Sequence, residues 1–166
     1  ISGAGGSFAL NTNPTTVFTG TSNTNYTLRW TITNGACSST DDVSINILQA
    51  ANNANAGTDI TTACGVTTTA LNGNGPGGGH TGLWTIVSGS PAGSFSNATS
   101  SSSNYTGTSG VTYVLRWTRT RTSSGCTSSD DVSVTFAASP TTSNAGPDQT
   151  GLCGVTSATL AANTPT

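Results

Sequence analysis

The chain has 166 residues, of which 6% are charged, against about 25% in an ordinary globular domain. The formal net charge is −2 and the four cations are all Arg, so no basic surface is expected for nucleic acid or acidic membranes. No apolar run approaches the roughly 18 residues of a membrane-spanning helix. The anions are all Asp, Lys, Glu and Met are missing, and 34 Thr and 23 Ser provide most of the polar surface.

The sequence repeats itself. One set of positions returns after 87 residues: Tyr26 as Tyr113, Leu28 as Leu115, Arg29 as Arg116, and Trp30 as Trp117. A second set returns after 89 residues: Cys37 as Cys126, Asp41 as Asp130, Asp42 as Asp131, Asp59 as Asp148, Cys64 as Cys153, and Leu71 as Leu160. A period near 89 residues is too long for helical solenoids and suits a small β-sandwich.

The repeat divides the chain into five parts. Residues 1–47 are the C-terminal part of one sandwich repeat, 48–54 a connector, 55–136 a complete repeat, 137–143 a second connector, and 144–166 the N-terminal part of the next repeat. Both ends fall inside a repeat, so we expect the natural polypeptide to continue in both directions.

Short strands are predicted in chain order within the complete repeat. Thr69 with Leu71 and Trp84 with Ile86 mark two strands, separated by a Gly-rich exposed loop over residues 72–82. Residues 113–118 and 132–136 alternate between apolar and polar types and flank a turn at 123–125, which indicates a hairpin. No segment has a helical apolar period, so the predicted fold class is all-β.

The large apolar residues are predicted to form cores. Alternation places Tyr113, Leu115 and Trp117 on one inner face, and Trp30 and Trp84 are assigned to the same kind of position. A carbohydrate-stacking platform built from the three tryptophans is the alternative interpretation.

These motifs resemble a known family of repeats. The run 144–150 (NAGPDQT), Cys153-Gly154, residues 82–85 (GLWT), 115–118 (LRWT), and Cys126 with 130–132 (DDV) resemble the PKD-like, immunoglobulin-type repeats of very large surface proteins in gliding bacteria with type IX secretion, above all SprB-type gliding adhesins. The resemblance implies tandem immunoglobulin/PKD-like β-sandwiches in a cell-surface filament that the motility machinery carries and that adheres to a substratum or polysaccharide.

Each repeat carries two cysteines, whose pairing the sequence leaves open. A bond between Cys64 and Cys126 within one repeat is favoured, with Cys37 and Cys153 then paired outside residues 1–166. Cys37–Cys64 with Cys126–Cys153 is an alternative, as is a bond from Cys64 to the hairpin of the next repeat. Pairing Cys37 with Cys153 would bridge the outer repeats and is disfavoured. Any of these bonds implies an oxidising exterior.

The aspartate pairs Asp41-Asp42 and Asp130-Asp131 open the last strand of a repeat and are weak calcium candidates, with Asp59 or Asp148 as a further oxygen ligand. The simpler interpretation gives one aspartate of each pair to Arg29 or Arg116 on the neighbouring strand and lets the other cap the turn. No other cofactor is predicted.

No catalytic residues are predicted. A single His80 in a flexible loop makes a poor hydrolytic triad, and the chain is not expected to be an enzyme.

The resemblance implies a structural function: the shaft of a giant secreted, extracellular cell-surface adhesin for gliding motility and surface attachment. Its partners would be neighbouring repeats, surface polysaccharide or substratum, and the secretion and motility machinery, with no nucleic acid. The alternatives are a carbohydrate-binding module array and a spacer in a secreted enzyme whose catalytic domain lies outside this sequence.

Overall fold

The computed structural model describes residues 2–164, and the described chain is all-β. Its strands are β1 (Ser7–Phe8), β2 (Phe18–Thr19), β3 (Thr24–Asn34), β4 (Cys37–Ile47), β5 (Ile60–Thr61), β6 (Thr68–Ala70), β7 (His80–Ser88), β8 (Ser94–Phe95), β9 (Asn104–Thr106), β10 (Thr112–Arg121) and β11 (Thr127–Thr135). The expectation of an all-β chain is confirmed.

Residues 55–136, here called the complete unit, form two facing sheets. One sheet has the strand order β5-β11-β10-β7, and the other has the order β6-β9-β8. The predicted hairpin is confirmed as β10 and β11, which pair antiparallel with Leu115 opposite Val132. β5 joins the free edge of β11 in parallel, with Ile60 opposite Val134. The arrangement is an open sandwich.

The core of the complete unit lies between these sheets. Alternation along β10 turns Tyr113, Leu115 and Trp117 inward, where they are fully buried. The other buried members of this core are Ala56, Leu71, Trp84, Tyr105, Val132, Val134 and Phe136. Gly82 on β7 faces the Trp117 indole, and a Cβ there would overlap the ring. A glycine at this position therefore lets the indole pack flat against the strand.

Residues 2–47, here called the half-unit, contain a matching hairpin and one short strand pair, but not a complete sandwich. β3 pairs with β4 so that Leu28 faces Val43 and Arg29 faces Asp42. β1 pairs with β2 as β8 pairs with β9 in the complete unit. Within residues 2–164 no further strand joins either pair, and Val43 is 56% exposed where the matching Val132 is 1% exposed.

Hydroxyl groups replace charge on the outer faces. Thr68 and Thr106 lie side by side on β6 and β9, with their Oγ1 atoms 2.9 Å apart. Thr112 and Thr135 make the same contact across β10 and β11 at 3.0 Å. Such neutral pairs satisfy the polar surface of a strand without an ionic group.

Candidate functional site

The connector before the complete unit is fixed to one end of it. We call this the hairpin end, because it contains the β10–β11 turn at residues 122–126. The Ser124 hydroxyl donates to the Gln49 carbonyl at 2.7 Å. Further along the connector, the Ala54 N–H donates to the Ser128 hydroxyl at 3.0 Å. These two hydrogen bonds therefore fix the connector to the hairpin end of the complete unit.

Arg119 is the central side chain of this junction. It projects from β10 and is only 6% exposed. Its Nη1 donates to the Asn53 carbonyl at 2.8 Å, and its Nη2 donates to the Pro76 carbonyl. The guanidinium thus ties the connector to the Gly-rich loop, and its rigid fork of donors suits two carbonyls at once.

His80 does not lie in an exposed loop, as the sequence predicts, but begins β7 and is buried. Its Nε2 accepts a hydrogen bond from the Asn52 N–H at 3.2 Å. Nδ1 lies 3.0 Å from the Gly78 carbonyl, to which it donates in the tautomer that this arrangement requires. The connector covers the ring, which explains its burial. Both ring nitrogens are occupied by structural contacts.

One aspartate of each predicted pair faces an arginine, as the simpler interpretation expects. Asp131 accepts from Nε and Nη2 of Arg116 at 2.7 and 2.9 Å. Asp42 accepts from Arg29 at the same two distances. The hydrogen bonds from these guanidinium groups lower the pKa of both carboxyl groups.

The other aspartate of the complete unit has a different role from the predicted turn cap. Asp130 Oδ2 accepts from the Ala56 N–H at 2.8 Å, which holds the chain ahead of β5 against β11. A second bond joins the same two segments with the roles exchanged. Here the carboxylate belongs to Asp59, just before β5, and its Oδ1 accepts from the N–H of Ser133 on β11 at 2.8 Å. In the described part of the chain, no three His, Cys, Asp or Glu side chains converge as a metal site would require.

The tryptophans of the complete unit lie in its core. Trp84 and Trp117 pack together with ring centroids 5.1 Å apart. Each indole N–H donates to a backbone carbonyl, that of Ser100 for Trp84 and that of Asn74 for Trp117, both at 3.0 Å. Trp30 departs from the expectation, because it is 38% exposed on the uncovered face of the half-unit.

The cysteines are unbonded in the structure. Cys126 belongs to the hairpin end. Cys64 lies in the turn after β5, where the next residue, Gly65, donates to the Ala137 carbonyl beyond β11. We call that opposite end of the unit the turn end. The nine residues of β11 separate the two ends by about 30 Å.

A disulfide needs Cα atoms within about 7 Å. The positions of Cys64 and Cys126 therefore do not support the favoured bond within one repeat. A bond between neighbouring repeats remains a prediction.

A groove of about 500 Å³ lies along the uncovered face of the half-unit. Its apolar walls are Phe8, Phe18, Leu28, Trp30, Val43 and Ile45. These residues match core positions of the complete unit, so the groove is a core surface without its cover. Sequence analysis missed it, because the repeat alone does not show which face is left open.

Comparisons with protein-family models and with curated proteins give no match. Among residues 2–164 there is also no helix of the length and hydropathy that a bilayer crossing requires.

Proposed function

We propose that the chain is part of the shaft of a very large secreted cell-surface adhesin, built from immunoglobulin/PKD-like sandwich repeats of about 89 residues, for gliding motility and attachment. The observation that carries this proposal is how the two ends of the complete unit are joined. Residues 54–62, near its N-terminal side, run beside β11, the last strand on its C-terminal side.

The contact between these segments extends along β11. Four hydrogen bonds span it: Ala54 N–H to Ser128 Oγ at 3.0 Å, Ala56 N–H to Asp130 at 2.8 Å, Ser133 N–H to Asp59 at 2.8 Å, and Thr62 N–H to the Thr135 carbonyl at 3.0 Å. The two segments run parallel, and the four bonds cross from one segment to the other. A pull on the two chain ends therefore loads these bonds together, in shear, which suits a shaft under tension.

A buried tyrosine supports the immunoglobulin-like assignment. The Tyr113 hydroxyl accepts from the Thr108 N–H at 3.0 Å and donates to the Pro91 carbonyl at 2.8 Å. Tyr26 repeats the pattern with the Thr21 N–H and the Ala4 carbonyl. A tyrosine near the start of a strand that bonds the backbone a few residues upstream resembles the tyrosine corner of immunoglobulin-type sandwiches.

The docked connector supports a stiff shaft. Because Arg119 and His80 hold the connector at residues 52–53, a preceding repeat would meet the complete unit in a restricted orientation. Repeat proteins with fixed junctions behave as extended, nearly one-dimensional rods. The burial of Trp84 and Trp117 leaves neither available as a carbohydrate-stacking platform.

Single-molecule pulling on the chain, held at its two ends, tests the proposal. We expect one force peak from the complete unit and a lower peak for Asp130→Ala, which loses a shear bond worth about 1.5–3 kcal/mol. Asp131→Ala is the matched control, because it removes only an exposed ion pair beside the same strand. Equal forces for Asp130→Ala and the parent chain would argue against load bearing, and saturable binding of the chain on a glycan array would favour the binding-module alternative.

A further inference from the structure

We propose that the contact between the connector 48–54 and the hairpin end is an acid-sensitive switch, in which protonation of His80 releases Asn52 and loosens the connector. The release itself depends only on the surroundings of His80. Its consequence, a shaft whose junction is stiff at neutral pH and flexible in mild acid, rests on the proposed function. Two observations carry the inference: the way both ring nitrogens are used, and the charges beside the ring.

The two contacts of the His80 ring require its neutral form. Nε2 accepts from the Asn52 N–H at 3.2 Å, so it must carry a free lone pair. Nδ1 donates to the Gly78 carbonyl at 3.0 Å, so it must carry the proton. A second proton would sit on Nε2 and point at the Asn52 N–H, which places two donors face to face. The bond to Gly78 would survive, so the connector is the side that opens.

Two guanidinium groups already lie beside this contact. Arg121 pairs with His80 across β10 and β7, and its Nη1 lies 3.5 Å from Nε2 of the ring. Arg119, two residues earlier on β10, donates to the carbonyl of Asn53. The Nε atoms of both arginines are buried and have no hydrogen-bond partner in the described part of the chain. A protonated ring would add a third positive charge to this cluster.

No carboxylate offsets that charge. Across residues 2–164, the ion pairs belong to Arg29 and Arg116, and neither arginine beside His80 takes part in one. The nearest carboxylate along β11 is that of Asp130, which lies opposite Trp117. Trp117 is four residues from Arg121 on β10, about 13 Å along the strand.

The other elements packed around His80 also lack a compensating group. The connector 48–54 and the Gly-rich loop 72–79 carry no titratable side chain, and the turn 122–126 carries only Cys126. A buried charge without a counter-ion is unfavourable, and contact with water relieves it. Departure of the connector, which covers the ring, supplies that contact. Proton uptake and release of the connector are therefore coupled.

The direction of the pH dependence follows from this coupling. The docked connector needs the neutral ring, so the released state binds one more proton than the docked state. Docking is then favoured at higher pH and weakens as the pH falls through the range in which histidine titrates. The bonds from Ser124 to Gln49 and from Ala54 to Ser128 contain no titratable group. The connector is therefore loosened around Asn52 and stays attached at these two points.

Amide hydrogen exchange of the full chain at about pH 8 and about pH 5 tests the switch, because these values bracket the histidine range. Each rate is divided by that of an unstructured amide at the same pH. We expect the protection of the Asn52 amide to fall about tenfold or more in acid, since its acceptor is lost. The Ala54 amide, which donates to Ser128, should lose less. The Leu115 amide in the central strand should keep its protection and so exclude general unfolding.

A matched pair of variants isolates the proton on the ring. His80→Gln keeps an oxygen that can accept from Asn52 and does not titrate, so Asn52 protection should be the same at both pH values. His80→Leu has no acceptor, and protection should be low at both. Tryptophan fluorescence confirms that each variant keeps its buried indoles. Equal Asn52 protection at both pH values in the parent chain, or an equal fall in folded His80→Gln, would overturn the switch.

The pulling experiment separates this outcome from a failure of the proposed function. The bonds loaded along β11 do not include His80, so the force peak at about pH 8 does not depend on the switch. A normal force peak with constant Asn52 protection refutes the switch and leaves the shaft proposal standing. Release of Asn52 in acid without a force peak at neutral pH supports the switch and contradicts the shaft.

Discussion

Arg116 and Asp131 face each other across β10 and β11 in a two-point ion pair whose side chains are 44% and 39% exposed. The pair keeps the Asp131 pKa below its ordinary value, chiefly through the hydrogen bond from Arg116. Exposed pairs of this kind add little to stability, because water screens the charges. Their contribution nevertheless has a definite pH dependence.

The pH dependence follows from the lowered pKa of Asp131. A carboxyl group whose pKa is lower in the folded state stabilises the fold above its unfolded pKa, and this stabilisation is lost as the pH falls through the folded value. We therefore expect Asp131→Asn to unfold slightly more easily than the parent chain at pH 7. The difference should shrink below pH 3.8, the ordinary value.

Urea titrations of the parent chain and of Asp131→Asn, at pH 7 and in strong acid, measure this difference. A gap that stays constant with pH would contradict the ion-pair interpretation.

At the scale of structural elements, the connector is held by side chains of the strands beside it. Arg119 joins residue 53 of the connector to residue 76 of the Gly-rich loop from a buried position on β10. Two carbonyl groups, each partly removed from water, depend on this one guanidinium. Removing it would leave them without their donor.

Arg119→Ala should therefore lower the free energy of unfolding by about 2–4 kcal/mol. It should also free the connector, since the contact with Asn53 is lost. Chemical denaturation measures the first effect, and amide hydrogen exchange over residues 49–54 measures the second. Arg116→Ala, on the exposed face of the same strand, is the control and should change neither by a comparable amount. Unchanged exchange in the connector would show that Arg119 is not what holds it.

The long strands and the three-residue β6 could be predicted from sequence, and the other short strands could not. Tyr113, Leu115 and Trp117 alternate with polar residues over enough positions to define a half-buried strand. β5 has two residues and β9 three, so neither shows a period. The position of β5 depends on side chains distant in sequence, such as Asp130 bonding the Ala56 N–H.

The candidate site shows the same limit. The contact between Arg29 and Asp42 could be predicted from the matching positions of the two repeats, and the structure has this ion pair. The burial of His80 does not follow, because its neighbours 77–79 are all glycine and indicate a loop. Only the packing of the connector, about 28 residues earlier in the chain, covers the ring.

At the scale of the whole molecule, the complete unit places one cysteine near each of its two ends. Cys126 lies at the hairpin end and Cys64 at the turn end. In a row of stacked units, the turn end of one faces the hairpin end of the next. A disulfide would then staple neighbouring units, as the alternative with Cys64 bonded to the next hairpin predicts.

Oxidation should therefore not join Cys64 to Cys126 of the same unit, because the two residues lie at opposite ends of it. Peptide mapping without reduction identifies the pairs. A bond between Cys64 and Cys126 of a single chain would contradict this prediction and require a different fold.

The threonine pairs on the outer sheet faces bear on the medium in which such a molecule works. Dissolved salt weakens attraction between exposed charges beyond about 10 Å at 0.1 M and leaves neutral hydroxyl contacts nearly untouched. Thr68 with Thr106 and Thr112 with Thr135 hold neighbouring strands through such neutral contacts, and residues 2–164 contain two exposed ion pairs. We therefore expect the screening of surface charges by salt to change the stability of this protein little.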